Sequence, residues 1–235
     1  NFDYSNIDIT DNNALKKSIR SNIEGIINLG ARAGVRNSEK DPHIYFDTNL
    51  TWTLNLLELC KKYEITNFVL ASTSSVYGKS NSLPYSESDN PDHTISQYAA
   101  SKKAAETLSY TYHHLYGLDV SILRYFTVYG PASRPDMAIM KFVKWLIEGE
   151  EVKVYGDGTQ SRDFTYINDI AEGTISSLQN LGYETINLGS DNPTTVSKII
   201  SIIEAHSNQQ ARVKYFAENP LDVKSTCANI KKAKN

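Results

Sequence analysis

The sequence predicts a wound parallel α/β fold with a smaller, interleaved α/β lobe, and three observations carry that prediction. Short runs rich in β-branched residues alternate with amphipathic stretches along the whole chain, the pattern of strands and helices packed in layers. The runs are nearly continuous in apolar residues, as strands covered on both faces are. The chain has 235 residues with no linker-like stretch, roughly 1.6 domains at ~150 residues each.

The elements follow in order. Asp11 offers an N-cap to a helix over Asn12–Ile19. Gly25–Gly30, Asn67–Ala71 and Leu118–Phe126 read as buried strands. Between them lie a helix from near Pro42 to Tyr63, lined by Leu50, Leu54, Leu57 and Leu59, and a helix from about Ser96 to Tyr116, closed by Gly117. After Thr127 the character shifts. A loop, Gly130–Pro135, leads into a helix over Asp136–Glu148 with Trp145 in its core face, then a strand over Glu151–Tyr155 and a turn at Gly156–Gly158. A strand at Phe164–Ile167, a helix at Asn168–Leu178, a strand at Thr185–Leu188, a helix at Val196–His206 and a strand at Arg212–Phe216 complete the chain. The main domain is expected to hold 1–127 and about 164–190, and the lobe 128–163 and about 191–235.

Composition narrows the function. Apolar residues make up 40% and charged residues 22%, ordinary for a globular chain and unlike a disordered one. A net charge of −3 argues against a nucleic-acid binder held by phosphate electrostatics. Two cysteines, Cys60 and Cys227, make neither a disulfide framework nor a metal cluster, so a reducing compartment, the cytoplasm, is expected. No apolar run reaches the ~18–20 residues of a membrane span.

The chemistry concentrates in residues 72–102. Tyr98 and Lys102 in Gln97-Tyr-Ala-Ala-Ser-Lys-Lys103 are four apart and share a helix face. An ammonium beside a phenol favours the phenolate, which can then act as a general base. The spacing alone also fits a solvated helix with an incidental pair. Upstream, Val69-Leu-Ala-Ser-Thr-Ser-Ser-Val-Tyr-Gly78 runs a buried strand into four hydroxyl residues, Ser72–Ser75. Ligands of wound parallel sheets bind beyond the carboxyl ends of strands, although such hydroxyls also cap backbone groups. The two segments together are a stronger signal than either.

These segments resemble the NAD-dependent epimerase/dehydratase family of extended short-chain dehydrogenases/reductases, and the likeness runs through nearly the whole chain. It implies a Rossmann-like doubly wound sheet, NAD as cofactor and a UDP-sugar substrate. Ile7-Asp-Ile-Thr-Asp11 resembles the segment whose Asp contacts adenine, implicating Asp8 and Ile9. Ile26–Ser38 resembles the strand and loop that pass beneath the cofactor, through Leu29, Gly30 and Ala31, and then touch the sugar nucleotide, through Ala33, Gly34, Val35 and Arg36. Phe46-Asp-Thr-Asn-Leu50 implicates Thr48 at the cofactor, as the family pattern does Phe126. Gln160-Ser-Arg-Asp-Phe-Thr-Tyr-Ile-Asn-Asp169 resembles the motif whose Arg, here Arg162, holds the nucleotide diphosphate, and Tyr155 and Asp222 join it by the same likeness. The resemblance makes Thr73 the hydroxyl that orients the reacting oxygen, Tyr98 the base and Lys102 its partner and ribose donor.

Within the family, dehydratases and decarboxylases place an acid just after the catalytic hydroxyl. Here Ser74 and Ser75 stand there, and a serine does not ionise usefully near neutral pH, which favours simple epimerisation at carbon 4. Gly-Pro-Ala-Ser-Arg-Pro-Asp-Met137 is similar to the loop of the family's UDP-glucuronate-using branch. Arg134 is then the expected grip on a uronate carboxylate, with hydroxyls from Ser72, Ser74 and Thr127. Epimerisation of a neutral UDP-hexose or UDP-N-acetylhexosamine, and a non-catalytic nucleotide-sugar or dinucleotide sensor, stand as alternatives. Family members commonly pair through four helices, so a homodimer through about 42–63 and 96–116 is implied. Trp52 stands where the family has a small Gly, which requires local repacking. The Gly-rich turn that opens this fold is not in the chain, so the chain, opening on Asn1, is expected to be most of a longer enzyme. No metal site is implied.

Overall fold

The computed structural model describes residues 3–9, 11–19, 23–79 and 82–235. Along the chain run α1 (Asn12–Ser18), β1 (Gly25–Asn28), α2 (Pro42–Phe46), α3 (Trp52–Tyr63), β2 (Asn67–Thr73), α4 (Gln97–Tyr116), β3 (Asp119–Tyr125), β4 (Thr127–Tyr129), α5 (Ala138–Ile147), β5 (Glu151–Tyr155), β6 (Ser161–Tyr166), α6 (Ile167–Ser176), β7 (Tyr183–Leu188), β8 (Pro193–Thr195), α7 (Val196–Ser207) and β9 (Arg212–Phe216). Two short 3-10 helices, Arg36–Glu39 and Ser74–Tyr77, and a π turn, Asp47–Thr51, complete them.

The chain divides into two compact units, one of residues 1–79, 90–124 and 173–186, the other of 80–89, 125–172 and 187–235. In the first, the sheet has the order β1-β2-β3-β7 and is parallel throughout, the wound parallel sheet the apolar runs predict. Its core is Leu57, Cys60, Phe68, Leu70, Ala105, Val120 and Ile122 with their neighbours, each large apolar side chain contributing about 1.5–3 kcal/mol on burial. The second unit has a three-stranded sheet, β4-β6-β8, and a two-stranded one, β5-β9. Phe142 of α5, Val152 and Val154 of β5, and Val196 and Ile200 of α7 form a core there, with Trp145 packed against it.

Local chemistry explains the ends. Asp11 accepts from the amides of Asn13 and Ala14 at 2.9 and 3.1 Å, and Ser96 accepts from Ala99 at 3.2 Å to start α4. Gly117, at φ 66°, closes α4 as expected.

Some expectations need correction. The helix expected over Pro42–Tyr63 is three pieces, α2, the π turn and α3. The turn carries buried polar residues, Thr48 and Asn49, so the leucine spacing gave no sign of it. The run Leu118–Phe126 gives β3, and β4 begins separately at Thr127 in another sheet. The helix expected from Asp136 starts at Ala138, while β6 starts at Ser161 and β7 at Tyr183, earlier than the apolar residues alone suggest. Strands of three residues, such as β8, are too short to show a period.

Candidate active site

In the first unit, the carboxyl ends of β1 and β2 and the start of α4 carry the expected reaction-centre residues. Thr73 ends β2 and caps the following 3-10 helix: its Oγ1 accepts from the Ser75 amide at 3.2 Å and donates to Ser75 Oγ at 3.2 Å. Gly78 closes that turn at φ 61°, where any Cβ would strike the His93 carbonyl. Ser72, pointing to the other side of the strand, donates to Glu106 Oε1 at 2.6 Å.

Tyr98 and Lys102 lie one turn apart on α4, which Ser96 starts. The Tyr98 ring packs edge-on to Tyr45, centroids 6.2 Å apart. Lys102 is only 2% exposed, and its ammonium makes no hydrogen bond among the described residues. Burial pulls its pKa down to about 8, against the pull of the Glu106 carboxylate.

The loop after β1 is held from α2 and the π turn. Tyr45 Oη donates to the carbonyls of Ala33 and Gly34 at 3.2 and 3.1 Å. Asn49 accepts from the Arg32 amide at 2.8 Å and donates to the Arg32 carbonyl at 3.0 Å. Asn28 bridges Thr53 Oγ1 and the Gly30 amide. The Trp52 ring lies 4.0 Å from where a Gly30 Cβ would stand. Leu29 is 61% exposed, and Gly30, Ala31, Arg36 and Asp8 are exposed beside or near it in sequence, with Val35 half-buried.

In the second unit, Arg134 pairs with Asp136, Nε to Oδ1 at 3.1 Å and Nη2 to Oδ2 at 3.3 Å, both side chains about half exposed. Arg162 on β6 donates to the Ser161 carbonyl at 2.7 Å. Next to it, Asp163 is fully buried and accepts from Ser190 N and Oγ, Asp191 N, Ala228 N and Thr165 Oγ1 at 2.6–3.3 Å. Tyr155 ends β5, its ring 5.6 Å from that of Phe216. Thr127 opens β4 opposite Phe164, Phe126 is buried and bonded to the Leu188 carbonyl, and the Asp222 amide bonds the Asn219 carbonyl in a turn.

Residues 3–189 match the family model described as the NAD dependent epimerase/dehydratase family. The chain belongs to that family. It is 54% identical to a UDP-glucuronate 4-epimerase of Thermodesulfobacterium geofontis over 236 residues, covering 100% of this chain and 73% of that one. Among solved structures, it is similar to a UDP-glucuronic acid 4-epimerase from Bacillus cereus in complex with UDP-glucuronic acid and NAD, with TM-score 0.89 and 39% identity over 97% of this chain and 72% of that one. A UDP-glucose 4-epimerase from Thermus thermophilus in complex with NAD gives TM-score 0.90 at 28% identity, covering 97% and 76%.

For this epimerase-family chain, the structure gathers Thr73, Ser74, Tyr98, Lys102 and Thr48 in one unit and Thr127, Arg134, Tyr155, Arg162 and Asp222 in the other. Asp8 and Ile9 lie in the described residues before α1, whereas Thr10 of the same motif lies outside them. Sequence reasoning missed Tyr45, Asn49, Glu106 and Arg124, whose partners are distant in sequence. Of these, only Glu106 carried a signal, standing four residues beyond Lys102 on the same helix.

Proposed function

We propose that this chain catalyses the NAD-dependent interconversion of UDP-glucuronate and UDP-galacturonate by epimerisation at carbon 4, through a transient 4-keto sugar. The observation that carries the reading is the buried Lys102 ammonium one turn from Tyr98 on α4, on a chain whose relatives include UDP-glucuronate 4-epimerases. The residues fit NAD: a buried ammonium without a hydrogen-bonding partner among the described residues suits ribose hydroxyls, and the exposed Leu29 at the end of a parallel strand offers an apolar surface. Lys102, Thr48, Leu29, Gly30, Ala31, Asp8, Ile9 and Phe126 would hold it, and bound there it supplies a hydride acceptor and donor at carbon 4 of the sugar.

Tyr98 takes the proton of the sugar's 4-hydroxyl and later returns it. Lys102 keeps positive charge beside the phenolate that forms. Thr73, its own oxygen oriented by Ser75, holds the reacting oxygen. Neither Ser74 nor Ser75 can shuttle a proton as a carboxylic acid would, so elimination has no acid on this strand end. Arg134 grips the uronate carboxylate, which takes the place of Asp136 on the guanidinium. Ser74 and Thr127 add hydroxyl contacts. Arg162 and Tyr155 serve the nucleotide diphosphate and uridine, with Asp222, and the 33–36 loop borders the sugar.

A second copy would pair through the helices at 42–63 and 96–116, where Leu54, Tyr63, Tyr110, Leu115 and Tyr116 are exposed. The cytoplasm suits two cysteines that form no disulfide.

The test is an assay of the full-length protein with UDP-glucuronate, UDP-glucose and UDP-N-acetylglucosamine. Turnover confined to UDP-glucuronate is the expected result. Turnover of UDP-glucose alone, unaffected by Arg134→Ala, overturns the uronate assignment, and no turnover of any sugar nucleotide favours a sensor.

A further inference from the structure

Glu106 stands on α4 one turn beyond Lys102 and is 1% exposed. Its Oε1 accepts from Ser72 Oγ at 2.6 Å and from Arg124 Nε at 3.0 Å, and its Oε2 from Arg124 Nη2 at 2.8 Å. One carboxylate therefore joins three elements of the first unit: β2 through the residue before Thr73, β3 through Arg124, and α4, which carries Tyr98 and Lys102. The guanidinium is buried with it and lies 4.8 Å from the Tyr77 ring centroid, while its Nη1 is buried without a hydrogen-bond partner among the described residues. Such a pair is poor value as a stability device, because apolar replacements of a buried ion pair are often neutral or stabilising. Its place between the two halves of the reaction centre suggests another use.

We propose that Glu106, balanced by Arg124, is a positioning residue for the reaction: it ties the Thr73 end of β2 to the Tyr98–Lys102 face of α4 and supplies the negative charge that keeps Lys102 an ammonium. The proposal rests on the reading of Tyr98 and Lys102 as the proton-handling pair. Ser72 acts through this tie, holding Thr73 in place by fixing its neighbour. The sign of the charge effect follows from the surroundings. Burial pulls Lys102 towards the neutral amine and Glu106 pulls it back, whereas Arg124 screens that carboxylate. The other groups facing Glu106 are Lys103, Nζ at 3.6 Å on the same helix, and Tyr183 from β7, with Tyr77 stacked on the guanidinium. Tyr98 shares the helix with Lys102, and Tyr45 from α2 packs on it.

The experiment uses two variants with opposite expected signs in the full-length protein. Glu106→Gln keeps size but turns one accepting oxygen into a donor facing donors, and it leaves Arg124 unbalanced. The alkaline limb of the kcat profile should move to lower pH by about one unit. NAD affinity, followed by calorimetry, should fall away at correspondingly lower pH. Arg124→Gln leaves the carboxylate unbalanced and should move both limits upward. Glu106→Asp keeps the charge and should leave the limb in place while kcat drops. Should the single variants fail to fold, the double variant Glu106→Leu/Arg124→Met removes both members of the buried ion pair together. It should fold but lose about tenfold in kcat at unchanged KM through the lost tie. Folded variants whose activity falls only in step with Tm, with unmoved limbs, or a double variant with the parent's kcat, overturn the proposal. Full turnover by Tyr98→Phe would instead sink the reading on which it rests.

Discussion

Asn49 donates a 2.8 Å hydrogen bond to Ser101 Oγ, binding the π turn to the residue beside Lys102 on α4. Ser101 in turn donates to the Tyr98 carbonyl at 2.8 Å, and the same Asn49 side chain clasps the Arg32 backbone from both sides. One buried amide thus sets the loop after β1 against the helix that carries Tyr98 and Lys102. Replacement by Leu leaves the Arg32 backbone groups and Ser101 without it. Asn49→Leu should cost about 1–3 kcal/mol, the cost of leaving a buried group such as the Ser101 hydroxyl without its partner. Denaturant unfolding checks this, and a midpoint equal to the parent's would show that the clasp carries no weight.

Tyr98→Phe removes one oxygen and leaves the packing on Tyr45 in place. Its kcat for UDP-glucuronate should fall about 100- to 10,000-fold, with Tm close to the parent's. A variant retaining more than a tenth of the rate would mean that another group takes the hydroxyl proton.

Lys102 gives a pH-dependent prediction. Its pKa is held at about 8, below the ordinary 10.5, chiefly by burial. Below pH 8 the folded and unfolded chains both carry the proton, and the folded chain bears the whole cost of the buried charge. Between about 8 and 10.5 the unfolded chain binds more protons, so this group's cost shrinks as pH rises. Lys102→Met should therefore raise stability at pH 7, by about 3 kcal/mol, while abolishing turnover, and the gain should dwindle towards pH 10. A variant less stable than the parent at pH 7 would show that the ammonium is a net stabiliser.

Arg134 and Asp136 test the specificity of the loop after β4. Loss of a charged hydrogen-bond pair to a ligand carboxylate costs about 1.5–3 kcal/mol, so Arg134→Ala should raise KM for UDP-glucuronate about ten- to hundredfold. Asp136 competes for the same guanidinium through a half-exposed ion pair, worth about 0.2–1 kcal/mol. Asp136→Asn should lower that KM about two- to fivefold. Steady-state kinetics decide both, and opposite changes in the two variants are the required pattern.

Asp163 makes a stability prediction in the second unit. Its five donors, from Ser190, Asp191, Ala228 and Thr165, all point at carboxylate oxygens. Asp163→Asn turns one acceptor into a donor facing donors, at a cost of about 2–4 kcal/mol. Thermal unfolding should show a clear fall in Tm, whereas Arg162→Ala, whose guanidinium bonds run to the backbone carbonyls of half-buried Ser161 and exposed Lys224, should show little.

How much of this was legible varies with the range of the interaction. The strands at 25–28 and 67–73 announced themselves through apolar runs, and Tyr98 and Lys102 through their four-residue spacing, because both signals are local. The π turn at 47–51 did not, since its buried residues are polar and interrupt no apolar pattern. Ser72 read as a candidate substrate contact because hydroxyls at a strand end look alike in sequence; the alternation of the strand directs it to Glu106 instead.

By itself, then, the sequence determined the layered α/β order, the Tyr-x-x-x-Lys pair, the hydroxyl cluster after β2 and the absence of an acid among Ser74 and Ser75. Those follow from chain periodicity and residue chemistry, which need no partner. Only the tertiary structure decided that Lys102 is buried and that Glu106 meets Arg124 and Ser72 across 18 and 34 residues of sequence. Burial and charge pairing arise from which elements the fold brings into contact, and no local pattern of residues encodes those contacts.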